Sequence, residues 1–177
     1  SIVNSISPAG SSIKFTATLP RTPLPVVKNP SQSLVDGLLV HYPFNGDAQD
    51  HSGQGNHGTA NGTSPTANRY GHVKEALAFD RDYVLTTDLS KVLTDQLTVT
   101  GWLYRNEGAS GVDQVFEALT NVWELFLETK GSDERVHLHH SGDQRLNVYS
   151  KTIPNGRWFH FATVISSTEQ SIYIDGK

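Results

Sequence analysis

Short segments with an alternating apolar and polar pattern recur through the sequence from residue 38 onward. They are rich in β-branched and aromatic residues, and Gly, Asn, Asp, Ser or Pro residues separate them. A period of two is typical of strands with one buried face. Many such strands at short spacing predict an antiparallel β-sandwich or barrel. The segments are 38–44, 84–85, 97–104, 115–119, 122–128, 136–140, 146–149, 158–165 and 172–174. Residues 73–79 have good helical propensity but are few for a helix, and we interpret them as the entry to a strand.

Length and composition exclude several classes of function. A chain of 177 residues has room for one main domain. The net charge is −4 and the Lys and Arg residues are scattered, so we expect no nucleic-acid partner. Cysteine is absent, which rules out disulfides, a thiol nucleophile and a cysteine-ligated zinc. No apolar run approaches the roughly 18 residues that cross a bilayer, so we expect no membrane insertion.

The two ends of the sequence differ from its middle. Residues 1–36 contain one alternating strand, 13–19, followed by four prolines, and they predict a stiff arm or linker. The sandwich is assigned to residues 37–177. Asp175-Gly176 follows the last strand and predicts a tight hairpin turn. Because the sequence lacks the returning strand, we expect the native protein to continue past Lys177, or a neighbouring chain to supply that strand.

Residues 37–58 carry a recognisable motif. Tyr42-Pro-Phe44 and Asn45-Gly46 precede a loop, 50–58, of the form Asp-x-Ser-Gly-x-Gly-Asn-x-Gly. This pattern resembles the opening of bacterial laminin-G-like, concanavalin A-like jelly-roll domains. Further similar segments follow in that family's order, at 78–84, 97–102, 156–162 and 172–177. One departure is Arg81, where a glycine is usual.

The resemblance implies a complete set of expectations. The fold would be an all-β, antiparallel jelly-roll sandwich that is incomplete at its C-terminus, since such domains usually carry more strands after Asp-Gly-Lys. Trp102 and Trp158 would lie in the core. The protein would be extracellular, secreted or displayed at the cell surface.

The loop from Asn45 to Gly58 concentrates oxygen atoms. Calcium takes six to eight oxygen ligands from carboxylates, amides and carbonyls, and the resemblance implies a structural calcium. Ordinary turn formation by Asp, Ser, Asn and Gly is the alternative. The predicted calcium ligands are Asp47, Asp50 and Asn56, with Asp80 and Asp82 completing the shell.

Aromatic rings are candidates for a sugar-binding surface. Rings stack on the apolar face of a pyranose, and a few polar groups fix its orientation. By residue type we select Trp123, Phe126 and Tyr149. Alternation leaves open which of these rings face outward.

Glu124 and Glu128 share a predicted strand face with Phe126. Enzymes of this fold place acidic residues along one strand, with an Asp between two Glu. Residues four apart on a strand are about 13 Å apart, which is too far for a glycosidase pair unless the side chains lean together. Phe126 also takes the place of the Asp, so we predict that the protein is not an enzyme.

His137 and His139 alternate with Val136 and Leu138 on one strand. Two imidazoles at this spacing could bind zinc or copper. The exposed polar face of a strand is the preferred interpretation, because no third ligand is identifiable nearby.

Together these features predict an extracellular binding and adhesion module. Its expected partner is a carbohydrate or surface glycoconjugate, with neighbouring protein domains or chains as further partners. A structural or assembly domain of a large surface protein or filament is the alternative, and a glycan hydrolase is the third possibility.

Overall fold

The computed structural model describes residues 2–7, 12–14, 36–86, 89, 96–118, 123–130, 133–140, 147–150, 152–166 and 169–177. Thirteen strands occur within these residues, and no helix is found among them. The strands are β1 (Ile2–Ser7), β2 (Ser12–Lys14), β3 (Thr59–Asn61), β4 (Ser64–Thr66), β5 (Ala76–Ala78), β6 (Tyr83–Leu85), β7 (Leu97–Arg105), β8 (Val112–Ala118), β9 (Trp123–Lys130), β10 (Asp133–His140), β11 (Val148–Tyr149), β12 (Trp158–Ile165) and β13 (Gln170–Ile174).

The strands form two sheets that enclose one core. The six-stranded sheet has the order β13-β12-β7-β1-β5-β4, and the seven-stranded sheet has the order β11-β10-β9-β8-β2-β6-β3. Leu103, Phe159 and Phe161 of the first sheet share one buried cluster with Leu125 and Leu138 of the second. Apolar side chains alternate inward on both sheets, so the predicted antiparallel sandwich is confirmed.

The outer face of the six-stranded sheet carries the two tryptophans that the resemblance places in the core. On β7 the inward residues include Val99 and Leu103, so Trp102 between them points outward and is half-buried. Trp158 likewise lies outside, where its ring meets Tyr104 edge-on at 5.8 Å. The expectation for Trp102 and Trp158 was therefore wrong, because strand alternation fixes the face of each residue.

Two strands from the segment that the sequence assigns to an arm pair inside the sheets. β1 lies between β5 and β7, and β2 lies between β6 and β8, in each case parallel to both neighbours. The antiparallel pattern of the rest of the sandwich is interrupted at these two positions. Residues 15–35, with the four prolines, lie outside the described residues, so the boundary drawn at residue 36 stays a prediction.

Two turns follow their local sequence closely. Asp175 and Gly176 both have positive φ, 49° and 78°, and Ile174 and Lys177 exchange backbone hydrogen bonds of 3.0 and 3.1 Å. This is the predicted two-residue hairpin turn. Arg81 has φ of 62°, a left-handed conformation that explains why glycine is usual at this position.

No helix long and apolar enough to cross a membrane occurs in the part of the chain that the structure describes.

Candidate functional site

The outer face of β8 to β11 brings polar and aromatic side chains together. On β9, Trp123, Leu125 and Leu127 point into the core, so the residues between them point outward. The antiparallel register sets His137 opposite Phe126 and His139 opposite Glu124. We call this surface the polar-aromatic face, and it consists of Gln114, Glu124, Phe126, Glu128, Arg135, His137, His139 and Tyr149.

Its rings form a continuous row across three strands. Tyr149 of β11 is stacked on His137, with 4.2 Å between ring centroids and an interplanar angle of 25°. Phe126 lies beside both histidines, 6.1 Å from His137 and 6.3 Å from His139. The guanidinium carbon of Arg135 is 4.3 Å from the centre of the Tyr149 ring. Tyr149 is nevertheless 46% exposed, so part of the ring is available to a ligand.

Each carboxylate of the face is held by its neighbours. Glu124 accepts a hydrogen bond of 2.8 Å from the Gln114 side chain, and its other oxygen lies 3.2 Å from Nδ1 of His139. Glu128 forms an ion pair with Arg135, and Nδ1 of His137 is 3.5 Å from the same oxygen. These contacts join β8, β9 and β10 by their outer side chains and fix the positions of the polar groups.

The structure separates the three aromatic residues that the sequence selected. Phe126 and Tyr149 lie on the polar-aromatic face. Trp123 is 4% exposed and belongs to the core, where it meets His140 edge-on at a centroid distance of 4.4 Å. Placing Trp123 with the other two was therefore incorrect, since it has the opposite parity on β9 from Phe126.

Sequence reasoning did not include Gln114, Arg135, His137 and His139 in the ligand site. The alternation of His137 and His139 with core residues already indicated that they share a face. The missing information was the pairing register between β9 and β10, which depends on contacts between strands that alternation does not reveal.

Asp50 organises the loop for which calcium was predicted. Its Oδ1 accepts backbone hydrogen bonds of 2.8 Å from His41 and from Ser52. Its Oδ2 accepts from the Ser52 hydroxyl at 2.7 Å and from the Asn56 backbone at 2.9 Å. Burial acts to raise the pKa of Asp50, but these hydrogen bonds outweigh it and lower the pKa.

Asn56 links the same loop to the first core segment. The side-chain amide of Asn56 donates to the Leu39 carbonyl at 2.8 Å, and the backbone carbonyl of Asn56 accepts from the Tyr42 hydroxyl at 2.6 Å. Burial raises the pKa of Tyr42 well above its usual value, and the nearby Asp50 charge acts in the same direction. Asp47 accepts from the Gln49 backbone at 3.0 Å. The oxygens therefore accept hydrogen bonds from donors of the loop and of the segment that precedes it.

Asp80 and Asp82 form a separate local turn. The Asp80 backbone donates to the Asp82 carboxylate at 2.9 Å. That carboxylate lies so close to Gly62 that a Cβ there would be 2.0 Å from Oδ1. Within the described ranges, no group of three or more His, Asp or Glu side chains is arranged to hold a metal ion. The calcium set stays a prediction, and Asp50 with all its donors in place does not fit a calcium shell.

The two facing sheets define an all-β sandwich. The chain matches the laminin G family model described as the concanavalin A-like lectin/glucanases superfamily, over residues 80–177. This match covers more than half of the chain, and the chain belongs to that superfamily. The matched range includes every residue of the polar-aromatic face, whereas the loop around Asp50 lies before its first residue. Membership supports a binding or structural module in general.

Searches of curated proteins and of solved structures give no significant match.

Proposed function

We propose that the protein is an extracellular binding module that recognises a carbohydrate or surface glycan on its polar-aromatic face. The observation that carries the proposal is the position of Phe126 and Tyr149 beside ordered carboxylate, imidazole and guanidinium groups. Sugars are recognised by rings that cover their C–H faces and by fixed polar groups that bind their hydroxyls. The superfamily match extends over all of these residues, which supports the proposal at the level of the fold.

The contacts of the two glutamates favour binding over hydrolysis. A glycosidase needs one carboxyl group of its pair as a proton donor. Glu128 is an acceptor in its ion pair with Arg135, and Glu124 is an acceptor for the Gln114 amide. Phe126 lies between the two glutamates on β9, so the rise per residue of the strand sets the distance between them. We therefore propose a non-catalytic role.

Titration with neutral oligosaccharides tests this function. The probes are cellohexaose and laminarihexaose, with binding measured by calorimetry. We expect saturable binding of at least one probe. Tyr149→Ala and Phe126→Ala should each lower the affinity about tenfold or more, and a tenfold loss corresponds to about 1.4 kcal/mol.

Tyr173→Ala is the matched control. Tyr173 is 43% exposed, close to the value for Tyr149, but it lies on the six-stranded sheet. Its removal should leave the affinity unchanged. If neither probe binds, or if all three variants bind as well as the parent chain, the glycan proposal fails and the assembly role becomes the better explanation.

A further inference from the structure

We propose that Glu124 holds His139 in the tautomer protonated at Nδ1, so that Nε2 accepts a hydrogen bond from a hydroxyl of a neutral ligand. This inference rests on the proposed glycan-binding function and names the class of ligand for the same face. Glu124 is a positioning residue in this arrangement, and His139 is the residue that contacts the ligand.

The tautomer follows from the chemistry of the carboxylate. An ionised carboxylate can only accept hydrogen bonds, so the nitrogen that faces it must carry the proton. Nδ1 of His139 lies 3.2 Å from Oε2 of Glu124. When the imidazole is neutral, protonation at Nδ1 leaves the lone pair on Nε2. The ring therefore presents an acceptor on the side away from Glu124.

The orientation of the carboxylate is itself fixed. The Gln114 amide donates to Oε1 of Glu124 at 2.8 Å, which leaves Oε2 directed at His139. The relay runs from β8 through β9 to β10, three adjacent strands of one sheet. Ligand-orienting groups on rigid strands lose little conformational freedom when a ligand binds.

The charges around the relay select the class of ligand. Glu124 contacts an amide and an imidazole, so its negative charge has no permanent cation in these contacts. The Arg135 guanidinium is already engaged by Glu128. The ring of His139 lies beside the aromatic rings of His137, at 5.5 Å, and Phe126, at 6.3 Å. An acidic sugar would be repelled, whereas a neutral hydroxyl group can donate to Nε2.

The tautomer can be measured without any ligand. Long-range nitrogen-15 NMR of the full chain at pH 8 should show His139 protonated at Nδ1. Glu124→Leu should abolish that preference, while Glu128→Gln, which alters the neighbouring pair, should leave it intact. A wild-type His139 protonated at Nε2, or a tautomer unaffected by Glu124→Leu, would overturn the inference even if glycans bind.

Binding assays test the acceptor role separately. His139→Phe retains a ring but removes the acceptor, and it should weaken binding of the neutral hexasaccharide about tenfold. Hexagalacturonate, the acidic probe of equal length, should bind more weakly than the neutral probes to the parent chain. Unchanged affinity in His139→Phe, or a preference for the acidic probe, would refute the acceptor role. Absence of binding by all probes would refute the glycan function, while the NMR result would still decide the tautomer.

Discussion

Asp50 accepts more hydrogen bonds than Asp47, the other carboxylate of its loop, and its donors lie both within the loop and in the segment before it. Through Ser52 and Asn56 it closes the turn on itself, and through the His41 backbone it ties the turn to the strand-like segment before it. Gly58 ends the loop against the core, where an added Cβ would be 2.7 Å from Val84. One buried carboxylate thus holds a loop that contains little regular structure.

Replacing Asp50 with Ala should lower the free energy of unfolding by about 2 to 4 kcal/mol, because several partly buried donors lose their acceptor. The pKa of Asp50 is lowered in the folded state. Its stabilising contribution is therefore present above the ordinary carboxyl pKa of 3.8 and is lost as the pH falls through the folded-state value. Denaturant titration of both proteins between pH 7 and pH 2.5 should show the difference shrinking at the acidic end.

The same pair of proteins tests the calcium prediction. Because protein donors already occupy both carboxylate oxygens of Asp50, we expect the parent chain to unfold at the same temperature in calcium and in chelator. A ligand that binds only the folded state would raise that temperature. A rise in calcium that Asp50→Ala abolishes would contradict this expectation and establish the loop as a metal site.

For single residues, the sequence predicted where the Asp50 loop lies but not which residues donate hydrogen bonds to Asp50. The spacing of Asp, Ser, Asn and Gly located the loop at 45–58, because those residues form turns by local hydrogen bonds. It did not reveal that the donors to Asp50 include His41, nine residues earlier. Oxygen-rich composition alone does not distinguish a metal shell from a set of acceptors for backbone amides.

The junction between β7 and β8 is held by a buried ion pair. Arg105 ends β7 and Asp113 lies near the start of β8, and both side chains are 0% exposed with 2.8 Å between Nε and Oδ2. Arg105 also donates to the Thr129 hydroxyl at 3.1 Å and to the Gly111 carbonyl at 3.3 Å. Because β7 and β8 belong to different sheets, these bonds connect the two layers at a corner.

Removing one partner of this pair should be more harmful than replacing both. Asp113→Leu leaves the Arg105 charge buried without its partner and should cost about 3 to 5 kcal/mol of stability. The double variant Arg105→Met with Asp113→Leu should recover part of that loss, since no unpaired charge remains. A denaturation double-mutant cycle measures the coupling. Additive effects of the two substitutions would contradict a coupled pair.

The alternating pattern predicted the strands, but it did not predict the buried ion pair between Arg105 and Asp113. Arg105 has the same parity as Val99 and Leu103, so the period of two already placed it on the core face. A charged residue at such a position is usually taken as the end of the buried run. Its burial depends on Asp113 across the corner, a tertiary contact that a single strand's pattern does not contain.

The whole sandwich depends on β1 and β2 for its continuity. In the part of the chain that the structure describes, β5 and β7 are joined only through β1, which pairs with β7 from Ile2↔Thr100 to Ser7↔Arg105. Likewise β2 is the strand that joins β6 to β8. Without them each sheet would be divided and would expose unpaired backbone on both sides of the gap.

The sequence assigned these residues to an arm because four prolines separate them from the main run of strands. Strand segments distant in sequence can still pair within a sheet, and composition gives no indication of where such a segment docks. The superfamily match, which begins at residue 80, also leaves this segment out. The jelly-roll class was thus predictable from residues 37–177, whereas the origin of the two central parallel strands was not.

Deleting residues 1–14 decides between an arm and an integral part of the fold. If β1 and β2 complete the sheets, the shortened chain should lose more than about 10 °C in its midpoint of thermal unfolding, or should self-associate through the opened edges. Circular dichroism melts and size-exclusion chromatography with light scattering measure both effects. A second variant carries Pro in place of Val3 and of Asn4 in the full chain. It matches the deletion, since it removes backbone donors of β1 without shortening the protein. An unchanged midpoint and a monomer in both variants would mean that the sandwich is stable without these strands, and that residues 1–36 are an arm, as their prolines first indicated.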